Sequence, residues 1–160
     1  MFSRNPDLLD LDVGTHLTPI PVNDDLTSLS AILLKDEYYD YLTGHSTNDD
    51  DLRRANIEAL ICLKAKAYLD IANRIKAGSR EDSKKLRKHR GDVFRLAIML
   101  VEEDVYYLPD RIKTDMQEFS NSIKDDLPDK AIFKEMGLGN IDPEDVYHQI
   151  LVSFQLDGQP

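Results

Sequence analysis

Between Ile57 and Lys76 the apolar residues recur at helical spacing. On a wheel of about 100° per residue, Ile57, Leu60, Ile61, Leu63, Tyr68, Ile71 and Ile75 share one broad face. Asn56 supplies an N-cap side chain, and Gly78 is a stop just past the end. Lys64 falls in the middle of the apolar face, whereas Lys66 points the opposite way, as a solvated lysine does. A second amphipathic helix follows the turn KAGSRED. It is capped by Asp82 or Ser83 and runs to Glu103, with Leu86, Val93, Leu96, Ala97 and Leu100 on its buried side. Gly91 costs that helix about 1 kcal/mol against Ala, which implies a close approach by another element.

The same reading places a helix from Thr27 or Ser28 to Gly44 and a short strand over Leu52–Ala55. Further helices start at Leu108-Pro109, at Pro128 and at Asp142-Pro143, the last with Val146, Ile150 and Phe154 at spacing four. The chain is expected to be mainly α, with about five helices in a compact bundle. The helices 57–76 and 82–103 form its central antiparallel pair. Residues 1–25, with Pro6, Pro19 and Pro21, read as a short extended lead-in, 26–156 as one helical domain and 157–160 as a frayed tail.

Charge sharpens this picture. The chain carries a net charge of −10, which argues against a nucleic-acid partner. Residues 64–95 nevertheless hold eleven Lys/Arg against four Asp/Glu, so the basic charge gathers in the central two helices and their joint. An internal match with the acidic segments, or a solvated face, is the simpler reading; an anion-binding patch is the other. Cys62 is the single cysteine, which favours a reducing compartment. No apolar run is long enough for a bilayer span, and the first residues lack a signal-peptide pattern. The expectation is a cytoplasmic protein without a membrane partner.

Lys64 is the sharpest candidate for chemistry. An ammonium inside an apolar face must snorkel to water, pair with a carboxylate, or meet an anion such as phosphate in a cleft. Asp92, flanked by Lys88 and Arg95, reads on its own as part of a surface ion-pair ladder. Other motifs fall away. Asp10 and Asp12 alternate like a metal-binding pair, but no glycine precedes them to hold a phosphate. Gly78-Ser79 followed by Asp92 has the spacing of a nucleotidyltransferase loop and first carboxylate, yet the second carboxylate position is Phe94. Asp49, Asp50 and Asp51 lack the glycine and glutamate of a calcium loop. Tyr38, Tyr39 and Tyr41 fit core or interface better than base stacking. His16, His45, His89 and His148 show no zinc spacing.

The runs SLSAILLKDEYYDYL and ALICLKAKAYLDIANRIKAGSREDSKKLRKHRGDVFRLAIML, spanning about residues 26–101, carry a resemblance. They resemble the helical C-terminal half of the bacterial AbiEii/AbiGii nucleotidyltransferase-like proteins, the abortive-infection, type IV toxin–antitoxin group. The element LK-x-x-A falls on Lys64 and the aspartate of K-x-x-x-D on Asp92, with Arg74 matching an arginine between them and Lys88 opening the second element. The resemblance implies that these residues are nucleotide- or phosphate-associated. It also implies an N-terminal α/β core that holds a Gly-Ser loop and two metal carboxylates, and this sequence does not show that core. The chain alone is therefore expected to bind nucleotide or phosphate weakly, with no catalytic residue, metal or cofactor of its own. Mg and NTP would enter only with a core supplied in trans. Within the cleft, Asp92 is the expected ion-pair partner of Lys64. The rival expectation is an interaction module, antitoxin-like or homo-oligomeric, that meets a basic protein partner.

Overall fold

The computed structural model describes residues 15–16, 34–49, 52–78, 80, 83–101 and 103–156. In chain order these form strands β1 (Thr15–His16) and β2 (Leu34–Lys35), helix α1 (Asp36–Gly44), then strands β3 (Ser46–Asp49) and β4 (Leu52–Ala55). Helices α2 (Ile57–Lys76), α3 (Ser83–Ala97), α4 (Asp110–Ile123), α5 (Ala131–Lys134) and α6 (Pro143–Ser153) follow. The protein is mainly α, as its periodicity predicts. Two two-stranded antiparallel pairs, β1–β2 and β3–β4, flank α1.

Helix α2 occupies the middle of the bundle, with α3 on one side and α4 on another. Lys64 meets Asp92, while Leu60 and Leu96 share a groove nearer the start of α2. As one helix is followed forward the other runs backward, which makes α2 and α3 the expected antiparallel pair. The core joins Ile61, Leu63 and Leu69 of α2 to Val93 and Phe94 of α3. It continues through Ile112, Met116 and Phe119 of α4, Phe133 of α5, and Ile150 and Phe154 at the end of the chain.

Several boundaries depart from the sequence reading, each for a physical reason. Of the helix expected from Thr27 or Ser28, residues 27–33 lie outside the described residues; α1 starts at Asp36, because Leu34–Lys35 pairs with Thr15–His16 and so satisfies its backbone in a ladder. The remainder of the lead-in, including Asp10 and Asp12, lies outside the described residues. The acidic stretch after Gly44 contributes a strand, with Ser46 opposite Ala55 and Asp49 opposite Leu52. Helix α3 stops at Ala97 rather than Glu103. Met99 and Leu100 donate to the carbonyls of Leu96 and Ala97, the tighter i→i−3 pattern of an unwinding end. Pro109 caps α4 from outside, and the short helix expected from Pro128 is α5, which starts at Ala131.

Caps follow the same logic. Asn56 stands at the N-cap of α2 in extended conformation, but its side chain makes no capping bond. It accepts from Thr47 Oγ1 at 2.8 Å and donates to Glu58 Oε1 at 3.2 Å, tying β3 to α2. Gly78, at φ +88°, takes the left-handed turn that ends α2, and its N–H reaches the Ile75 carbonyl at 2.9 Å. Asp142 caps α6 as a carboxylate should, accepting from the Glu144 N–H, with Pro143 in the first turn.

Candidate functional site

Because α2 is sandwiched, its polar face has nowhere to go. Glu58, Ala59, Cys62, Ala65, Ala67 and Leu69 are buried along with Ile61, Leu63 and Ile71, so the helix is covered nearly all round. Small residues make this tolerable, since Ala65 and Ala67 allow close helix packing. Leu60, Tyr68 and Ile75 of the expected face are only half-buried.

Lys64 resolves its position by pairing. Its Nζ donates to Asp92 Oδ2 at 2.8 Å, with the two side chains 14% and 21% exposed. The second carboxylate oxygen faces Arg95 Nη1 at 3.6 Å, and Arg95 Nη2 reaches on to the exposed Glu135 at 3.5 Å. Asp92 thus sits between two cations at the seam of α2 and α3. This is a partly buried network with Lys64 at its inner end, and it replaces the surface ladder read from α3 alone. Arg95 also explains Gly91. A Cβ there would stand 3.1 Å from Arg95 Nη1, so the close approach comes from the helix's own arginine and not from another element.

His89 lies one turn from this pair and is fully buried. Burial, then the nearby Lys64 charge, push its pKa below the ordinary 6.5; Asp92 opposes them and Lys88 and Lys85 add to them. The imidazole is therefore held neutral beside the ion pair. Arg74 and Lys88 are placed elsewhere. Arg74 is exposed ten residues beyond Lys64, about 15 Å along α2, and Lys88 is exposed on α3. Of the four phosphate-associated candidates, the fold brings together Lys64 and Asp92 and leaves Arg74 and Lys88 on the surface.

A second polar cluster occupies the opposite side of α2 and corrects the reading of Lys66 as a solvated lysine. Its side chain is only 18% exposed, with Nζ 3.1 Å from Asp70 Oδ1 and 3.5 Å from Asp115 Oδ2. Tyr38 Oη donates to the same Asp115 oxygen at 3.0 Å. Burial, and then the Asp115 charge, raise the Tyr38 phenol far above its usual range, so it stays protonated as a donor. Asp115 could have been found in the sequence as the carboxylate between Ile112 and Met116 on the apolar face of α4.

A third cluster surrounds Cys62. The thiol is fully buried against Tyr41, and burial, then the Glu58 charge, push its pKa up, which keeps it an unreactive thiol. Glu58 is 3.1 Å from His45 Nδ1, and His45 stacks on Tyr41 with ring centroids 4.1 Å apart. Tyr38 and Tyr41 are core residues, as tyrosines on a packed helix should be. On the other flank of α3, Arg90 is buried and paired with Asp126.

Among the described residues no group of three or more His, Cys, Asp or Glu side chains converges to hold a metal. No described helix is long and apolar enough to cross a membrane. No protein-family model, curated protein or solved structure matches this chain.

Proposed function

We propose that this chain is a nucleotidyltransferase-like helical domain of the AbiEii type, in which Lys64 and Asp92 position the phosphates of a nucleotide. The observation that supports this reading is the meeting of these two motif residues, from separate helices, in one partly buried ion pair. A lysine held at the edge of a low-dielectric seam is a ready phosphate ligand. When an anion arrives, its oxygens compete with Asp92 for the ammonium, while Arg95 holds the displaced carboxylate in place. His89, kept neutral, adds no competing charge.

In this reading the chain's part is binding and orientation, and catalysis belongs to a core supplied by other residues. Calorimetric titration with ATP, CTP, GTP and UTP in Mg²⁺ tests this. Weak binding by at least one nucleotide, reduced about tenfold or more in Lys64→Met, is the expected result. No heat from any of the four with a fully folded protein overturns it. A second reading, a protein–protein interaction module, is favoured by the exposure of Met99, Val101 and Tyr107.

A further inference from the structure

Glu58 lines an apolar groove, and its hydrogen bonds use only one of its two oxygens. It stands in the first turn of α2, where the positive end of the helix favours a negative charge, and it is 8% exposed. His45 Nδ1 at 3.1 Å and Asn56 Nδ2 at 3.2 Å both meet Oε1. Oε2 takes no hydrogen bond from a described residue. Among the described residues, the buried side-chain oxygens that lack a partner belong to Tyr41, Ser120 and Ser153, so Glu58 Oε2 keeps contact with solvent. The groove beside it, about 530 Å³, lies between the start of α2 and residues 96–101. Ile57, Leu60, Leu96 and Leu100 wall it, with Met99 and Val101 left 57% and 60% exposed. Arg54, the one Lys or Arg in the lining, is exposed, so the buried charge of the groove is negative.

We propose that this groove binds a small primary amine with an apolar body, an alkyl- or arylalkylammonium ion. The ammonium donates to Glu58 Oε2, while His45 and Asn56 hold the other oxygen and fix the carboxylate in place. The carbon chain covers Leu60, Leu96 and Met99, apolar surface that the free chain leaves to water. A concave site of a few hundred Å³, with apolar walls and one fixed polar group, suits a small molecule. The carboxylate decides which one. An anion is repelled by it, and a neutral alcohol displaces its water without matching its charge. The net charge of −10 draws cations toward the chain as a whole. Lys64 lies six residues further along α2, about 9 Å, so this site stands apart from the proposed phosphate position and does not rest on it.

Titration of the full chain with n-hexylammonium chloride tests it, read by the methyl signals of isotope-labelled methionine. The expected dissociation constant is about 1 mM or tighter, with Met99 shifting and Met136, exposed elsewhere, staying still. Each methylene removed, down to butylammonium, should weaken binding about fourfold. Hexanol and hexanoate should bind about tenfold more weakly or worse. Glu58→Gln keeps the shape of the side chain and removes its charge, and it should cost about tenfold or more. Met99→Lys, at a surface position, should weaken binding as strongly while Glu58, His45 and Asn56 stay in place. Lys64→Met should bind the amine as the wild type does, so this result is independent of nucleotide binding. A Met99 signal that stays still up to about 10 mM amine overturns the proposal. So does hexanol binding as tightly as hexylammonium, which would make the groove merely apolar. Wild-type affinity in a folded Glu58→Gln protein, or in Met99→Lys, refutes it as well.

Discussion

Lys64 Nζ and Asp92 Oδ2 are joined at 2.8 Å across the seam of α2 and α3, with Arg95 on the far side of the same carboxylate. Each charge is tolerable there because the other is present. Removing one partner leaves a charge in a place that water reaches poorly. Lys64→Ala and Asp92→Ala should each cost about 1.5–3 kcal/mol in urea unfolding, the range of a charged hydrogen bond. The double variant should cost less than their sum by about 0.5–3 kcal/mol. Additive losses would show that the two residues act separately.

The odd position of Lys64 was legible from the wheel, because a cation among apolar neighbours has few solutions. Asp92 as its partner came only with the resemblance, since α3 alone reads Asp92 as part of a surface ladder. Helix α2 was legible to the residue, from Ile57 to Lys76, since its period is long and both ends carry stop signals. Less legible was how completely α2 would be covered. Its wheel shows one apolar face, but Ala65 and Ala67 are buried as well, and Lys66 is drawn into an ion pair with Asp115 of α4 instead of water. Strand pairing was the other blind spot. The ladder between Thr15–His16 and Leu34–Lys35 depends on a partner far along the chain, which local periodicity does not register. Of the hairpin β3–β4, the strand Leu52–Ala55 was legible, whereas its partner β3 hid in an acidic stretch whose composition reads as a solvated loop.

Asp115 is the acceptor that Tyr38 and Lys66 share, and the two donors are not equal in consequence. Tyr38→Phe removes one neutral donor from a carboxylate that keeps its cation, so the loss should be about 1 kcal/mol. Asp115→Ala orphans a buried phenol and strips Lys66 of one of its two carboxylates, and it should cost roughly 2–3 kcal/mol. Denaturant midpoints of the two variants check the order. An Asp115→Ala protein as stable as Tyr38→Phe would mean that water already serves this cluster.

His89 gives the stability a pH dependence of known sign. Its folded pKa lies below the unfolded 6.5, through burial and the Lys64 charge, with Lys85 and Lys88 acting the same way and Asp92 against. In the window below 6.5 the unfolded chain binds a proton that the folded chain resists. Stability contributed by neutral His89 is therefore present above that pH and is lost as pH falls. Urea midpoints measured between about pH 5 and pH 7.5 should fall toward the acid side in the wild type, and the fall should shrink in His89→Gln. An unchanged slope in the variant would assign the acid sensitivity to other groups.

Gly91 stands in the middle of α3 although its backbone needs no left-handed turn there. The space of its missing Cβ is taken by the end of the Arg95 side chain, 3.1 Å from where the Cβ would be. A guanidinium on a flexible stem, held by ion pairs of 3.5 and 3.6 Å, can move by the few tenths of an ångström that a methyl group needs. Against that small shift stands the helix propensity of alanine over glycine, up to about 1 kcal/mol. The propensity should win. Gly91→Ala is expected to raise the unfolding free energy by about 0.5–1 kcal/mol in thermal or urea melts. A loss of stability would mean that Arg95 is fixed more firmly over the helix than its two long contacts imply, and that the glycine is there to seat it beside Asp92.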